Sequence, residues 1–575
     1  MPILNWIGKD AVVNHDKDVP FRLLKEIKSK SVGDSENLII EGDNLEALKA
    51  LLPHYQNKIK CIYIDPPYNT GNEKWVYNDN VNSPKIKKWL GKVVGKPDED
   101  LTRHDKWLCM MYPRLKLLRE LLSDDGLIFI SIDDAEQSGL KQILDEIFHK
   151  ENFVANIIWQ KKRTSANDAR FISDNHDFIL LYGKNINRLK INFNQRTKEQ
   201  EELYKNPDND PRGVWASGPI QVKTPNDKDI YEITTPSGRK VLPPKGASWR
   251  FSRKKLDELI KDNRIDFGES GNNVPRYKRF LTEVQDGVID KTIWFAEDVG
   301  DNQEGKTEFK EILPNQTFAT PKPTRLIKKI IKMVCNNNDI ILDSFAGSGT
   351  TGESVLQLNK EDGGNRKFIL VELESEICKN ITSQRVKNII KKSYKDEKST
   401  ELYKKGLNIA DLKDMNAIFD KIEEIKLENK NFKKFSLKFK NKTLSLFGEV
   451  QQDLKNGTGG GFQYAVLDKK LFNSDGSINP ECTFEELASY LYFTETKTIL
   501  DTKKINKTLL DTHNETQIHL MFDGIGKNNL DRKFLTALDK NKDKIIYADK
   551  CTLDDSTLEK HKTVFKQIPY EVKEF

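Results

Sequence analysis

Two short motifs that lie far apart in the chain contain residues able to support chemistry. The first is Asp65-Pro66-Pro67-Tyr68, which follows the apolar run KCIYI. Two consecutive prolines fix the backbone φ angle and remove N–H donors, so this turn is stiff and presents hydrogen-bond acceptors. The Asp65 carboxylate and the Pro66 carbonyl can each accept one hydrogen of an exocyclic amine. Tyr68 offers a flat face on which the ring that carries the amine can stack.

The chemistry that suits this turn is activation of a ring amine. Such an amine is a poor nucleophile because its lone pair is delocalised, and two acceptors on its N–H groups release that lone pair for attack. An adenine in a duplex must first leave the base stack, and stacking on Tyr68 returns part of the cost. We expect S-adenosyl-L-methionine as the methyl donor, with alignment as the main catalytic device and no metal.

The second motif is GSGTTG (347–352), which fits G-x-G-x-x-G between a predicted strand and a predicted helix. Backbone N–H groups at such a helix start bind anions, and Glu372, after the next strand, can accept hydrogen bonds from ribose hydroxyls. This motif alone also fits an NAD-dependent oxidoreductase. However, Phe345 beside the loop favours a nucleoside or a sulfonium over a pyrophosphate, and no dehydrogenase needs the Asp65 turn.

The elements around both motifs alternate between strands and helices, which predicts an α/β fold with a doubly wound parallel sheet. Ligands of such sheets bind at the carboxyl ends of the strands, where both motifs lie. The predicted strands include NLIIEG (37–42), KCIYIDPPY (60–68), GLIFISID (126–133), DIILD (339–343) and KFILVE (367–372).

Length and composition limit the remaining choices. A chain of 575 residues is too long for one core, and 94 Lys and Arg against 88 Asp and Glu give a mild excess of +6 that permits an anionic partner. Six cysteines without C-x-x-C spacing predict neither a disulfide framework nor a zinc site. The N-terminus has no signal-peptide pattern, and no apolar run approaches the ~20 residues that span a bilayer. We therefore expect a cytoplasmic protein.

Together, IDPPYNTG (64–71) and DSFAGSGTT (343–351) resemble the amino-DNA methyltransferases in which the catalytic motif precedes the cofactor motif. The wider pattern is similar to the Mod (modification) subunit of type III restriction–modification systems, and it covers nearly the whole chain. It includes WLCMMYPRL (107–115), LIFISIDD (127–134), FATPKPTRLI (318–327), GGGFQY (459–464) and LYFTET (491–496). This resemblance implies a Rossmann-like sheet with circularly permuted motif order, an inserted target-recognition domain and a C-terminal α+β domain.

The resemblance also implies roles for individual residues. Asp65, Pro66, Pro67 and Tyr68 match the target-amine site. Asp43 matches an acid near the cofactor adenine, although its position before a helix equally predicts an N-cap. The implied cofactor-binding residues are Asp43 near the adenine, Lys322 and Pro323 over the methionine, Asp343, Phe345, Gly347, Gly349 and Thr350 at the methionine end, and Glu372 at the ribose.

Basic residues between the two motifs are the predicted DNA contacts, some to phosphates and a few to guanine edges. Any one of them could instead belong to a solvated face. Among the neighbouring aromatic residues, Trp249, Tyr277 and Phe280 are predicted to form a small core. The predicted DNA-binding residues are Lys161, Lys162, Arg163, Arg250, Arg253, Lys254, Arg276, Lys278 and Arg279.

The predicted domains are 1–185 (first catalytic part), 186–311 (recognition insert), 312–395 (second catalytic part) and 396–575 (dimerisation and partner contact). We expect methylation of adenine N6 in a short asymmetric site of double-stranded DNA, by a dimer, with a restriction (Res) nuclease as a further partner. The N4 amine of cytosine poses the same chemical problem and stays an alternative. A catalytically inactive DNA-binding scaffold is a third hypothesis, which the intact Asp65, Tyr68 and Gly347 oppose.

Overall fold

The computed structural model of the chain divides into two compact units. The large unit comprises Met1–Ile191 and Lys291–Phe575, and the small unit comprises Asn192–Asp290. The structure describes residues 4–70, 88, 102–165, 169, 171–194, 196–224, 226–284, 287–391, 397–407, 411, 415–429, 432, 434–440, 443–451, 457–472, 477–496, 498, 500–524 and 526–568.

A ten-stranded sheet forms the centre of the large unit. Its order is β1-β10-β2-β9-β8-β3-β4-β6-β5-β7. Strands β1 and β6 run antiparallel to their neighbours and the other pairings are parallel. In chain order the strands are β1 (Arg22–Glu26), β2 (Leu38–Glu41), β3 (Ile59–Ile64), β4 (Leu122–Ile132), β5 (Phe153–Gln160), β6 (His176–Gly183), β7 (Ile293–Trp294), β8 (Ile340–Asp343), β9 (Lys367–Glu372) and β10 (Gln463–Lys470).

Helices cover both faces of this sheet, which confirms the predicted doubly wound α/β class. Successive side chains of a strand point to opposite faces, so Ile62 packs in one core and Tyr63 in the other. Helices α1 to α3 belong to the first core and α4 to α7 to the second. They are α1 (Asn44–Tyr55), α2 (Arg103–Leu121), α3 (Gln137–Leu144), α4 (Asn302–Ile312), α5 (Thr324–Val334), α6 (Thr350–Asp362) and α7 (Ser383–Lys391).

Local sequence signals explain where these helices begin and which side they bury. The Asp43 carboxylate accepts the backbone N–H groups of Leu45 and Glu46, so the predicted N-cap of α1 is confirmed. Helix α5 begins directly after Pro323 and buries Ile327, Ile330, Ile331 and Val334, a spacing of three and four residues that forms one apolar face.

The chain beyond residue 396 also takes part in the central sheet. Strand β10 lies between β1 and β2, with Ala465 opposite Ile40 and Leu467 opposite Leu24. The segment KFSLKFKNKTLSLFG (434–448) forms two strands of a separate three-stranded sheet. The other elements are strands Glu397–Gly406, Lys434–Lys440, Thr443–Gln451, Leu509–His513, Thr516–Leu520, Asn529–Leu530, Asp543–Ala548, Lys550–Cys551 and Thr563–Gln567, with helices Met415–Glu428, Phe484–Thr496, Arg532–Thr536 and Asp555–Lys560.

The small unit has short strands around a core of its own. Trp249 is buried there with Ile220, Ile233 and Leu256, as predicted for a core aromatic. The unit lies inside the predicted 186–311 insert, whereas β7 and α4 belong to the large unit. Its elements are strands Trp215–Pro219, Gln221–Val222, Ile233–Thr234, Lys240–Val241, Ser248–Trp249, Ile265–Asp266 and Arg276–Phe280, with helices Lys198–Glu201 and Arg253–Lys261.

Two further observations concern the molecule as a whole. None of the helices in the described ranges is long and apolar enough to cross a membrane. All six cysteines are free thiols, and five of them are buried.

Candidate active site

Both predicted motifs line one cavity of about 600 Å³ at the carboxyl edge of the central sheet. Tyr68, after β3, and Phe345, after β8, both contribute to its wall. Strands β3 and β8 are adjacent and parallel, so their carboxyl ends meet at the same edge. Other lining residues are Tyr63, Asp65, Pro66, Pro67, Thr70, Asp133, Lys161, Lys162, Asp174, Asp177, Asn302, Phe318, Thr320, Lys322, Asp343, Ala346, Gly347, Ser348 and Thr350.

The two carboxylate oxygens of Asp65 have different surroundings. Lys322 donates a hydrogen bond from Nζ to Oδ2 at 2.5 Å. Oδ1 is buried and has no hydrogen-bond partner among the described residues. An unpartnered buried carboxylate oxygen is costly to maintain. Its position on the cavity wall makes it an acceptor for a ligand.

The backbone that follows Asp65 is held from outside the cavity. Trp107, on α2, donates its indole N–H to the Pro67 carbonyl at 2.6 Å. Asn69 adopts a left-handed backbone φ of 61°, and its side-chain amide donates to Glu136. His104 also contacts Glu136, and burial raises the pKa of the Glu136 carboxyl to about 8. These contacts fix the turn that carries Tyr68.

The Tyr68 hydroxyl lies between two carboxylates. It donates to Asp177 Oδ2 at 3.4 Å, and burial, followed by the charges of Asp65 and Asp177, raises the pKa of this phenol well above its usual value. Lys161 donates to Asp177 Oδ1 at 2.7 Å and to Asp174 at the same distance. Lys322 also lies 5.2 Å from the centre of the Tyr68 ring. Lys161 therefore pairs with Asp174 and Asp177 at this end of the cavity, and Lys322 pairs with Asp65.

The glycine-rich loop is shaped by residues with left-handed backbone angles and by buried carboxylates. Gly347 has φ +49°, and a Cβ atom there would lie 3.0 Å from the Phe318 ring, so the position requires glycine. The Asp343 carboxylate accepts from the Phe345 N–H and the Thr351 hydroxyl. Glu372 accepts from the Gly347 N–H at 2.7 Å.

Burial changes the protonation of both acids. It raises the pKa of Asp343 to about 7, against the lowering effect of the Thr351 and Phe345 hydrogen bonds. It also raises the pKa of Glu372, although backbone N–H groups of Glu374 and Gly347 oppose this shift. A cationic ligand in the cavity would favour the ionised form of these groups.

A buried ion pair between α6 and α7 supports the glycine-rich loop. Arg385, on α7, pairs with Glu353 at 2.6 Å, and both side chains are buried. The same guanidinium donates to the hydroxyls of Ser348 and Thr350. Arg385 thus connects the start of α6 to α7, and the Thr382 hydroxyl adds a hydrogen bond to the Gly347 carbonyl.

Four residues of the predicted cofactor set are not in the cavity wall. Asp43 caps α1 and lies 3.4 Å from Arg114, and Glu372 acts on the loop through the Gly347 N–H. Pro323 precedes α5, and Gly349 precedes α6. The cavity wall contains the other predicted cofactor residues, namely Lys322, Asp343, Phe345, Gly347 and Thr350.

Two of the predicted DNA contacts do not fit that role. Lys161 is buried and paired with Asp174 and Asp177, and Lys278 is buried and bonded to Asp208. A buried lysine that is already neutralised by a carboxylate serves the fold rather than a phosphate. The remaining predicted contacts are exposed at the surface, namely Lys162, Arg163, Arg250, Arg253, Lys254, Arg276 and Arg279.

Some of the exposed arginines already have partners. Arg163 pairs with Asp301 at 2.6 Å, and Arg253 pairs with Asp257 one helical turn away. Arg276 donates to the Ser217 hydroxyl. Exposed pairs of this kind are weak, so these side chains can exchange a carboxylate for a phosphate.

The sequence reasoning missed Trp107, Glu136 and Asp177 as residues of the site. Trp107 and Glu136 fall within or near quoted motifs, but neither carries a chemical signal of its own. Asp177 is the second residue of β6, at the start of the otherwise apolar stretch DFILLYG, and a charged residue in such a stretch was the available signal. Asp133, which follows β4, accepts the Ala135 N–H in a turn.

Comparisons with known proteins agree with this geometry. The profile of the family described as DNA methylase matches residues 59–384, more than half of the chain. The StyLTI Mod subunit of a type III restriction–modification enzyme from Salmonella typhimurium is 36% identical over 404 residues, which cover 66% of this chain and 60% of the relative. The EcoPI Mod subunit from Escherichia phage P1 is 32% identical over 448 residues, 68% of each chain.

The chain thus spans between about three fifths and two thirds of the length of these relatives. Among solved structures, the M1.HpyAVI–SAM complex aligns with 61% of this chain and 97% of that chain, at 16% identity and a TM-score of 0.26. The NAD-dependent alternative finds no support, because the matching profile includes both the Asp65 turn and the glycine-rich loop. The chain belongs to the DNA methylase family, and the predicted resemblance to type III Mod subunits is confirmed.

Proposed function

We propose that this protein transfers the methyl group of S-adenosyl-L-methionine to the N6 amine of a flipped-out adenine in double-stranded DNA. The observation that carries the proposal is the unpartnered Oδ1 of Asp65 in the same cavity as Phe345 and Gly347. An acceptor for the amine and a cradle for the methyl donor are therefore within one cavity. The two relatives described above are also named as Mod subunits of type III restriction–modification enzymes.

The residues present fit the proposed cofactor. Besides Asp65 Oδ1, the buried Ser344 hydroxyl beside the glycine-rich loop has no hydrogen-bond partner among the described residues. Asp343 and Glu372 are buried carboxylates whose described partners are N–H groups and one hydroxyl. Carboxylates held in this way suit a ligand that carries positive charge on its amino group and its sulfur. When bound, S-adenosyl-L-methionine supplies an electrophilic methyl group.

On the target side, this chain would act by orientation. Asp65 Oδ1 accepts one N–H of the adenine amine and the Pro66 carbonyl accepts the other, which directs the nitrogen lone pair away from the ring. Lys322 keeps its hydrogen bond to Oδ2 and holds the Asp65 carboxylate in place. The ring stacks on Tyr68. Holding the reacting atoms in line in this way can contribute a large part of the rate enhancement.

The DNA would be held by exposed basic residues. We propose that Lys162, at the cavity, and Arg250, Arg253, Lys254, Arg276 and Arg279 of the small unit bind phosphates or base edges. The proposed recognition insert remains 186–311, with the compact unit Asn192–Asp290 as its body. The protein would act in the cytoplasm, where its DNA substrate lies.

We also propose a dimer, with the segment 396–575 contributing to dimerisation and to contact with a Res nuclease subunit. The supporting observation is the similarity to Mod subunits. Light scattering of the purified protein tests the dimer, and mixing with a Res subunit of a related system tests the second contact. A monomer at micromolar concentration would contradict the first proposal.

The function is tested by incubating the purified protein with duplex DNA and S-adenosyl-L-methionine labelled on the methyl group, followed by chromatography of the nucleosides. Labelled N6-methyladenine is the expected product. Labelled N4-methylcytosine would show that the target base is cytosine instead of adenine. Absence of label from every nucleoside of the digest would contradict the proposal. Sequencing that detects modified bases, on DNA from cells that express the protein, would then give the strand and the recognised site.

A further inference from the structure

The position of the Tyr68 hydroxyl raises a question about the acceptor that the reaction needs. The Tyr68 hydroxyl lies within reach of the carboxylates of Asp65 and Asp177, and both of them, after burial, raise the pKa of this phenol. A phenol O–H is a strong donor, and Asp65 Oδ1 is a buried oxygen without a partner. If the hydroxyl turned to Asp65, it would occupy the oxygen that the target amine requires.

In the structure, Asp177 is the acceptor for the Tyr68 hydroxyl. Its Oδ2 accepts from the Tyr68 hydroxyl at 3.4 Å, while Asp65 Oδ1 makes no hydrogen bond to a described residue. The antiparallel direction of β6 places its first residues at the carboxyl edge of the neighbouring strands, so Asp177 reaches the cavity. Only 3% of the Asp177 residue is exposed, which limits competition from water.

Lys161 holds Asp177 in this orientation. It donates to Oδ1 at 2.7 Å and leaves Oδ2 for Tyr68, so each oxygen of the carboxylate has one partner. Asp174 binds the same ammonium group at 2.7 Å but is half exposed and makes no contact with Tyr68 among the hydrogen bonds of the described residues. The two carboxylates therefore share a lysine and differ in their access to Tyr68.

We propose that Asp177 is a positioning residue that keeps the Tyr68 O–H directed at its own carboxylate, so that Asp65 Oδ1 stays open to the target amine. This inference rests on the proposed function and adds a residue to it. Asp177 acts through Tyr68 and touches neither the amine nor the methyl donor.

The test is the substitution Asp177→Asn, in the natural background and in a Tyr68→Phe background. In Asp177→Asn the single amide oxygen is the acceptor for Lys161, so the amide nitrogen faces Tyr68 and the phenol turns its proton to Asp65. The variant should lower kcat about tenfold to hundredfold, the range for one hydrogen bond to a charged group, with little change in KM for DNA. In Tyr68→Phe, which has no hydroxyl to restrain, adding Asp177→Asn should change kcat less than threefold.

Two comparison variants isolate the effect. Asp174→Asn removes the other carboxylate partner of Lys161 and should lower kcat much less than Asp177→Asn does. Asp125→Asn breaks the pair with Lys60 at the opposite edge of the sheet and should leave methylation unchanged. Thermal unfolding and cofactor titration of each variant identify any that fail to fold.

A crystal structure of Asp177→Asn provides a readout that does not depend on methylation. It should place the Tyr68 hydroxyl within 3.2 Å, roughly the hydrogen-bond limit, of Asp65 Oδ1. Equal losses of kcat from Asp177→Asn in the Tyr and Phe backgrounds, natural kcat in the single variant, or an unmoved Tyr68 hydroxyl would each overturn the inference. If the natural protein methylates no DNA, the proposed function fails, and the crystal structure still decides the role of Asp177.

Discussion

The two ends of the cavity neutralise their carboxylates in different ways. At the Tyr68 end, Asp65 is paired with Lys322 and Asp177 with Lys161. At the glycine-rich end, Asp343 and Glu372 are satisfied by backbone N–H groups and a hydroxyl, and no lysine or arginine pairs with them among the described residues. The first end provides lysine partners for its carboxylates, although burial still raises the pKa of Asp177, and the second is suited to a ligand that brings its own positive charge.

Under the proposed function, this difference separates the two tasks of the site. The Tyr68 end would present a fixed acceptor to a neutral amine, and ion pairs hold that acceptor in place. The glycine-rich end would bind and release a cationic cofactor, and acids with raised pKa values can ionise when the cation arrives. Five predictions test the comparison, from the largest expected effect to the smallest.

The largest effect is expected from Asp65→Ala. It removes the acceptor for the amine, and methylation should fall by at least about 10²–10³-fold, the range for losing a group that stabilises the transition state. Binding of DNA and cofactor, measured by fluorescence anisotropy and calorimetry, should be retained because the other walls of the cavity are intact. Near-natural turnover in this variant would refute the proposed activation of the amine.

The next largest effect concerns the support of the glycine-rich end. Arg385→Met leaves the buried Glu353 without its partner and removes the donor to Ser348 and Thr350. Losing one member of a buried pair should lower the free energy of unfolding by about 3–5 kcal/mol, measured by urea denaturation. Cofactor affinity should fall more than DNA affinity, and a parallel loss of both would argue against separate tasks for the two ends. Lys328→Met, which breaks a more exposed pair with Glu361, is the control.

A smaller effect is expected from pH. The pKa of Asp343 is about 7 and burial is the main cause. A cationic cofactor that requires ionised Asp343 should bind about tenfold more tightly at pH 8 than at pH 6 and should release a proton on binding. Calorimetry in buffers of different ionisation enthalpy measures both quantities. Asp343→Asn should remove the pH dependence, and a natural protein whose affinity is flat over this range would contradict the assignment.

The same shift has a consequence for stability without ligand. The folded carboxyl binds its proton more tightly than the unfolded one, whose pKa is near 3.8. Its contribution to the free energy of unfolding is therefore present below about pH 4 and is lost as pH rises to about 7. The Asp343→Asn variant should lack this part of the decline, as urea denaturation at a series of pH values would measure.

The smallest effect extends the comparison to the small unit. Arg250→Gln together with Arg253→Gln removes two exposed charges, and DNA affinity should fall severalfold while the slope of log affinity against log salt decreases by about 2. Arg188→Gln, which lies outside this unit and pairs with Asp124 on the surface, serves as the control for the loss of one surface arginine. An unchanged salt slope would remove Arg250 and Arg253 from the DNA interface.

The parts of the site that could be predicted from the sequence are those formed by residues close together in the chain. The Asp65 turn and the Gly347 loop each follow an apolar strand and carry their signal within a few residues, so their meeting at one sheet edge followed from the parallel topology. The burial of Lys161 and Lys278 could not be predicted from neighbouring residues. Their burial depends on Asp177 and Asp208, and a basic residue shows no local sign of which distant carboxylate it will meet.

Strand pairing set a similar limit on the domain assignment. The alternation of strands and helices predicted the sheet but did not identify β10 as one of its strands, because β10 lies far along the chain from β1 and β2. The pairing depends on contacts that only the folded chain brings together. For the same reason β7 and α4, within the predicted insert, pack with the large unit.

The place of β10 has a consequence for how the protein is made. A ribosome must synthesise the chain through Lys470 before the gap between β1 and β2 can be filled. Until then β1 has no neighbour in the sheet, and one edge of β2 has unpaired backbone groups that can pair with a strand of another chain. A gene truncated after codon 395 would encode both catalytic motifs and still yield an unfinished sheet, prone to aggregation. Completion of the central sheet thus waits for a segment that lies outside both motifs.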